Sequence, residues 1–245
     1  MTKIERKINV LDDKGYVMIH DVLGTDLTVA NAARVSYDKK SETLTDGDKR
    51  LIDFLAREGH TSPFRHVLAQ FEFNAPLMVA RQHWKYVVGS SMLEATGDNM
   101  DAWNESSRRY ITEEPSFYVP QPTEWRLAPE NSKQGSGGAV YDVDYLLAEE
   151  TSERLFEHVE RSLFLYEKAL EYGICAEQAR LFLPAYGMYV RYYWTASLQS
   201  VCHFLNQRLA HDSQVEIQAY AKAVLELIKP LFPISVEKLV TEATI

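Results

Sequence analysis

The hydrophobic period of this chain changes along its length, and that change constrains the fold more than any other feature. Early on, apolar residues recur at short alternating spacing. Residues 7–23 read as two short strands around the turn signal Asp12-Asp13-Lys14-Gly15, and residues 67–73 (VLAQFEF) alternate apolar and polar as a third strand. Two helices are expected between them. Asp26 is placed to cap one over residues 27–33, and residues 45–57 open on a polar cap, set Leu51, Ile52 and Leu55 at helical spacing and stop near Gly59. Residues 75–86 read as a helix with Pro76 in its first turn. The last hundred residues turn to the helical period: 149–172 form a long amphipathic helix ended by Gly173, and 176–183, 213–229 and 235–241 are shorter helices. Residues 189–195 (YVRYYWT) fit a strand or the start of a helix reaching Arg208, and periodicity leaves both open. With no internal repeat and no clean linker, the expectation is one α+β domain over residues 1–245 with a helical C-terminal half.

Composition narrows the function classes. The apolar fraction of 46% supports a sizeable core, and the net charge of −9 argues against broad binding to a nucleic-acid backbone, which needs a basic surface. The aromatics Trp84, Tyr86, Trp103, Tyr110, Phe117 and Tyr118 could stack bases, but such runs are more often core. The first ten residues carry Lys3, Glu5, Arg6 and Lys7 without an apolar core, unlike a secretory signal, and no run is long enough to span a membrane. Cys175 and Cys202 cannot make a disulfide framework; both read as small core residues, and the cytoplasm is the expected compartment. GxGxxG, GxxxxGK[ST] and HExxH patterns are missing, and the seven histidines show no metal-ligand spacing, so a metal-free enzyme is favoured.

Three clusters carry candidate chemistry. In Trp103-Asn104-Glu105-Ser106-Ser107-Arg108-Arg109-Tyr110, two arginines and two hydroxyls stand together after the polar connection 88–104. Guanidinium forks and hydroxyls suit a phosphate monoester, although such a string also serves as an ordinary solvated cap. The second cluster is Glu177-Gln178-Ala179-Arg180 before Leu181-Phe182-Leu183-Pro184; the third runs from His203 to Arg208 and on through His211-Asp212-Ser213-Gln214-Val215-Glu216. A lone arginine on an apolar helix is as often the partner of a structural carboxylate. Residues 113–141, with four prolines and the run Ser132-Lys133-Gln134-Gly135-Ser136-Gly137-Gly138, form a long irregular excursion of the kind that is often functional.

Taken in order, these residues resemble the flavin-dependent thymidylate synthases. The resemblance rests on Ala33-Arg34-Val35-Ser36, His60-Thr61-Ser62-Pro63-Phe64, Ala75-Pro76 and Val79-Ala80-Arg81-Gln82. It continues in Asn104-Glu105-x-Ser107-x-Arg109-Tyr110, Glu177-x-Ala179-Arg180-x-x-Leu183-Pro184, Trp194-Thr195 and Phe204-Leu205-x-x-Arg208. It spans the chain apart from residues 88–101 and 121–148. It implies a mixed sheet flanked by helices and a homotetramer with shared active sites. The implied reaction is reductive methylation of dUMP to dTMP, with 5,10-methylenetetrahydrofolate as carbon donor and NADPH-reduced FAD as hydride donor. By position, Gln82, Ser107, Arg109 and Arg180 would hold the dUMP phosphate, with Lys85, Ser106 and Arg108 beside them. Arg208 would face the pyrimidine as the catalytic cation, stabilising negative charge at N3 and O4. Glu105 would meet both dUMP and flavin. Ser36 and Ser62 would lie near the FAD phosphates, and Lys85, Tyr86, Val87, Ser197, Gln199 and His203 would line the flavin side.

The chain departs from that family chiefly on the flavin side. Lys85-Tyr86-Val87 stands where the family carries Arg-His-Arg, Arg65 replaces a usual glutamate, Ser197 and Gln199 replace Asn and Arg, and Asp212 replaces a common histidine. Lys85 keeps a charge but loses the planar fork. The alternative implied is a divergent homologue that binds a pyrimidine nucleotide without methylating it, through another C5 modification or a non-catalytic binding or assembly role.

Overall fold

The computed structural model describes residues 6–86, 103–106, 114–130 and 135–241. In chain order the elements are β1 (Arg6–Val10), β2 (Gly15–Leu23), α1 (Asp26–Arg34), α2 (Asp46–Arg57), β3 (Leu68–Pro76), α3 (Leu77–His83) and β4 (Trp103–Glu105). There follow α4 (Val140–Val143), α5 (Tyr145–Glu171), α6 (Ala176–Ala179), β5 (Tyr189–Ser197), α7 (Leu198–Arg208), α8 (Val215–Ile228) and α9 (Pro233–Leu239). Single 3-10 turns cover Val35–Tyr37, Ser62–His66, Pro122–Glu124, Arg180–Phe182 and Ala185–Gly187. The expected α+β class is what the chain adopts. The five strands order as β1-β2-β3-β5-β4.

Pairing directions follow from backbone bonds. β1 and β2 are antiparallel, with Arg6 opposite Ile19 and Val10 opposite Gly15. The Leu77 N–H donates to the Met188 carbonyl at 2.9 Å and the Leu198 N–H to the Val67 carbonyl at 2.9 Å, which fixes β3 and β5 as antiparallel too. Gly15 sits where a Cβ would lie 2.2 Å from the Tyr220 hydroxyl oxygen, so the hairpin needs glycine for close approach.

By its contacts the chain forms two compact units. One comprises Met1–Phe73, Gln82–Asn104 and Tyr192–Ile245; the other Asn74–Arg81 and Glu105–Arg191. In the first unit the buried face of the sheet is aromatic. The Phe73 and Tyr192 rings stack at 5.2 Å between centroids and Phe71 and Trp194 at 5.6 Å, while Phe204 of α7 and Tyr220 of α8 close over them at 5.7 Å from Trp194 and 6.2 Å from Phe73. Burying rings of this size supplies about 2–3 kcal/mol each, plus roughly 1 kcal/mol for a favourable pair geometry. The open alternative for residues 189–195 is thereby decided. Tyr192 and Trp194 are buried while Arg191 and Tyr193 are exposed, the period of a strand.

Asp26 departs from its expected role. The α1 cap is Thr25, and the Asp26 carboxylate instead accepts from the backbone N–H groups of Ile234 and Ser235, at 2.9 and 3.0 Å, and from the Ser235 hydroxyl at 2.5 Å. It therefore caps α9, more than two hundred residues away, where the positive end of the helix favours a carboxylate. Pro76 likewise ends β3 rather than opening the helix that follows. Asp48 is fully buried and plays the capping-box role in α2. Burial alone would raise its carboxyl, but hydrogen bonds from Thr45, Arg34 and Ser41 hold it below the usual carboxylate range. The Arg34 guanidinium lies 2.7 Å from it.

The second unit packs α5 against a small core of Phe117, Val159, Tyr166, Ala169, Ala179 and Leu183. Gly173 ends α5 as expected: its φ is +80°, its N–H donates to Leu170 and the Ile174 N–H donates to Ala169, a paired C-terminal closure. Trp125 donates through its indole N–H to the Ser152 hydroxyl at 2.8 Å, which donates in turn to the Pro120 carbonyl at 2.8 Å. That chain pins the proline-rich excursion to α5. Among the described residues, no helix is long and apolar enough to cross a membrane.

Candidate functional site

The turn that leaves α3 and the C-terminal half of α7 bring chemistry together in the first unit. Tyr86 is 5% exposed. Its ring packs edge-on to Phe204 at 5.1 Å and tilts against His203 at 5.8 Å, and its carbonyl accepts the Trp194 indole N–H at 2.5 Å. The Arg208 guanidinium lies over this ring, 5.8 Å from its centroid. Burial raises the Tyr86 phenol above the ordinary tyrosine range, and Arg208 pulls it the other way through charge and hydrogen bonding. Burial first, then the Arg208 charge, lowers His203 below the usual histidine range.

His83 lies beneath this group. It is 1% exposed, and its Nδ1 is 3.1 Å from the Tyr192 hydroxyl. Its ring contacts include Trp194 at 4.3 Å, Phe204 at 4.5 Å and Phe73 at 4.7 Å. Burial, with a smaller contribution from Arg208, pushes its pKa down to about 3, so it is neutral at pH 7. Nε2 has no hydrogen-bond partner among the described residues. A proton on Nδ1, donated to Tyr192, leaves only a lone pair at Nε2, which is cheaper to bury than an unbonded N–H.

Every titratable ring around Arg208 is thus neutral at pH 7, and among the described residues Arg208 has no carboxylate partner. Two buried polar atoms in this unit also lack hydrogen-bond partners among the described residues: the donor Nε of Arg208 and the acceptor Oε1 of Gln199. Native proteins rarely leave such atoms unsatisfied; the two residues stand nine positions apart on α7, about 14 Å along its axis and on opposite faces, so each needs its own partner. The unpartnered Arg208 donor, on a guanidinium with no carboxylate among the described residues, suits a carbonyl oxygen of a pyrimidine or an isoalloxazine ring, so the residues present fit a uracil base or a flavin.

The other candidate residues fall as follows. Gln82 is half-buried and donates to Gln214 Oε1 at 2.5 Å, while Gln214 donates to the buried Glu216 at 2.8 Å. Lys85 is exposed. Ser197 is buried and its hydroxyl caps α7, accepting from the Ser200 N–H at 3.2 Å. Ser36 and Ser62 are exposed in two 3-10 turns. In the second unit, the Ser106 N–H donates to the Arg191 carbonyl at 2.8 Å and its hydroxyl accepts from the Arg191 N–H at 3.2 Å, beside exposed Glu105. Arg180 is exposed and its Nε donates to the Glu177 carbonyl at 3.2 Å. Val87, Ser107, Arg108 and Arg109 lie outside the described residues, as does most of the 88–104 connection.

The structure therefore gathers Tyr86, His203 and Arg208 and adds His83, while Gln214 pairs with Gln82; neither His83 nor Gln214 stands out as a candidate in the sequence. His83 directly follows Gln82 of a quoted motif, and Gln214 stands in the third cluster; both signals were present. Cys175 is exposed rather than core, whereas burial, then the Asp26 charge, pushes the Cys202 thiol up and makes it inert.

Known proteins resemble this chain over most of its length. The family model described as thymidylate synthase complementing protein matches residues 18–234. Flavin-dependent thymidylate synthase from Thermus thermophilus is 36% identical over 224 residues, 91% of this chain and 74% of that protein. The protein of the same name from Thermotoga neapolitana is 33% identical over 237 residues, covering 97% and 95%. A crystal structure of the UMP/dUMP methylase PolB from Streptomyces cacaoi bound with 5-Br dUMP superimposes with a TM-score of 0.73 at 27% identity, covering 94% and 96%. The same enzyme bound with 5-Br UMP gives 0.74 at 26% identity.

Proposed function

The chain belongs to the family of flavin-dependent thymidylate synthases, and on that premise we propose that it converts dUMP to dTMP with Arg208 as the cation facing the pyrimidine. It is a methyltransferase of that family, and the reaction is reductive methylation of dUMP. The finer assignments are 5,10-methylenetetrahydrofolate as carbon donor, NADPH as reductant and FAD as the bound flavin, in a homotetramer of the cytoplasm.

The observation that carries the assignment of Arg208 is its electrostatic setting. A guanidinium among neutral rings, with a buried Nε and no carboxylate partner among the described residues, keeps its charge for a ligand. When bound, reduced FAD supplies the hydride. This chain's residues bind and orient: Gln199 and His203 line the flavin side, with Lys85 beside them. Gln82, Ser107, Arg109 and Arg180 hold the phosphate of dUMP, Glu105 stands between the two ligands, and Ser36 and Ser62 serve the FAD phosphates. Negative charge that develops at N3 and O4 of the pyrimidine is stabilised by Arg208, which raises the reactivity of C5.

Arg208→Ala tests this. Turnover of dUMP is expected to fall by at least about 100-fold, the loss typical when one preorganised charge-stabilising donor is removed, while flavin remains bound. Wild-type turnover in that variant would remove Arg208 from the mechanism.

A further inference from the structure

Tyr86 stands where the family carries histidine, and its surroundings hold it more firmly than a ligand contact alone would require. The ring is 5% exposed. It is gripped by Phe204 and His203, with His83 at 6.1 Å, and its own carbonyl is tied to the Trp194 indole at 2.5 Å. Trp194 is in turn fully buried in the aromatic sheet core. Backbone and ring of Tyr86 are therefore both fixed, from β5 and from α7.

On this fixed ring rests a side chain with four rotatable bonds. Arg208 is the last residue of α7, and its guanidinium lies 5.8 Å from the Tyr86 centroid, within cation–π range, with the phenol oxygen close enough to feel its charge and hydrogen bonding. Without an ion-pair partner among the described residues, little else in view fixes the direction of the fork. We propose that Tyr86 is a positioning residue: it acts as the platform that aims the Arg208 guanidinium, a role separate from touching flavin. The inference rests on Arg208 facing the pyrimidine. A cation held in place before reaction stabilises developing charge without reorganisation, so losing the platform costs turnover more than binding.

The test uses the full-length enzyme with Tyr86→Phe, Tyr86→Leu and Arg208→Ala, comparing kcat and KM for dUMP per folded, flavin-loaded site. A second readout is the Nε–H signal of Arg208 in a proton–nitrogen spectrum of the same proteins without substrate, identified by its loss in Arg208→Lys. Tyr86→Leu is expected to lower kcat about 20-fold with KM for dUMP within threefold of wild type, and to move the Arg208 signal out of the ring-current field. Tyr86→Phe, which keeps the ring, is expected to lose no more than about fivefold in kcat and to leave that signal near its place. A merely structural Tyr86 would lower thermal stability and the loaded fraction but leave kcat per loaded site and the Arg208 signal unchanged; that result overturns the proposal. Should Tyr86→Leu fail to fold, Tyr86→Trp replaces it: a larger ring that displaces the guanidinium must shift the signal and lower kcat, and an unmoved signal is likewise fatal. Wild-type turnover in Arg208→Ala would remove the reading of Arg208 on which the inference stands. An inactive Arg208→Ala beside a fully active Tyr86→Leu removes only the platform.

Discussion

Lowering the pH from 7 to 5 should weaken this fold through His83, and the size of the loss follows from its burial. In the unfolded chain His83 takes up a proton near pH 6.5, whereas in the folded protein its pKa is pushed down to about 3. Below pH 6.5 the unfolded state therefore binds a proton that the native state refuses, and stability falls as pH falls, at about 1.4 kcal/mol per pH unit once the difference is complete. Integrated from pH 7 to pH 5, the loss from this one residue is about 2 kcal/mol. His203 shifts in the same direction but is half-buried, so it adds less. Asp48 is lowered in the folded state and its contribution disappears only below about pH 4, the ordinary carboxylate range, outside this window. Urea unfolding of wild type and His83→Gln at pH 7 and pH 5 isolates the effect. The variant is less stable at both values, but the gap between its two stabilities should be smaller than the wild-type gap by about 2 kcal/mol. An equal gap in both proteins would mean that His83 is hydrated or charged in the native state, and the account of a neutral platform under Arg208 would fail.

Two stability predictions come from the frame. Asp26→Ala removes the carboxylate that accepts from Ile234, Ser235 and the Ser235 hydroxyl, and should cost about 2–4 kcal/mol by urea unfolding, with earliest loss of amide-exchange protection in α9; a cost near zero would show that α9 is capped by other means. Gly15→Ala drives a methyl against the Tyr220 hydroxyl and the Val10 carbonyl and should cost about 1–3 kcal/mol, partly recovered in Gly15→Ala with Tyr220→Phe. Simple additivity of the two substitutions would contradict that contact.

Much of the fold was legible because local signals matched it. The hairpin turn at residues 11–14, the Thr45 cap of α2 and the Gly173 stop of α5 were all written in short-range chemistry. Two failures share a cause. Asp26 has the side chain of a cap and lies at a helix start, but its partners are at Ile234 and Ser235; sequence neighbourhood cannot report a contact made only after folding. Pro76 closes a strand because β3 continues to it, which propensity alone would not choose. In the site, Arg208 and Tyr86 were selected by resemblance, yet their mutual contact was not, because the residues are far apart in sequence and the family carries histidine at the tyrosine position. His83 went unselected because a single histidine without a second ligand at metal-binding spacing carries no specific signal. It is core, and its neutrality is what preserves the charge of its neighbour.

The most direct measurement is to incubate the purified protein with dUMP, 5,10-methylenetetrahydrofolate, NADPH and FAD and to follow dTMP by mass spectrometry. dTMP is expected to appear only when dUMP, the folate, a flavin and a reductant are all present. Binding of dUMP with no dTMP under those conditions would contradict that expectation, and would point instead to a homologue that keeps the nucleotide and has given up the methyl transfer.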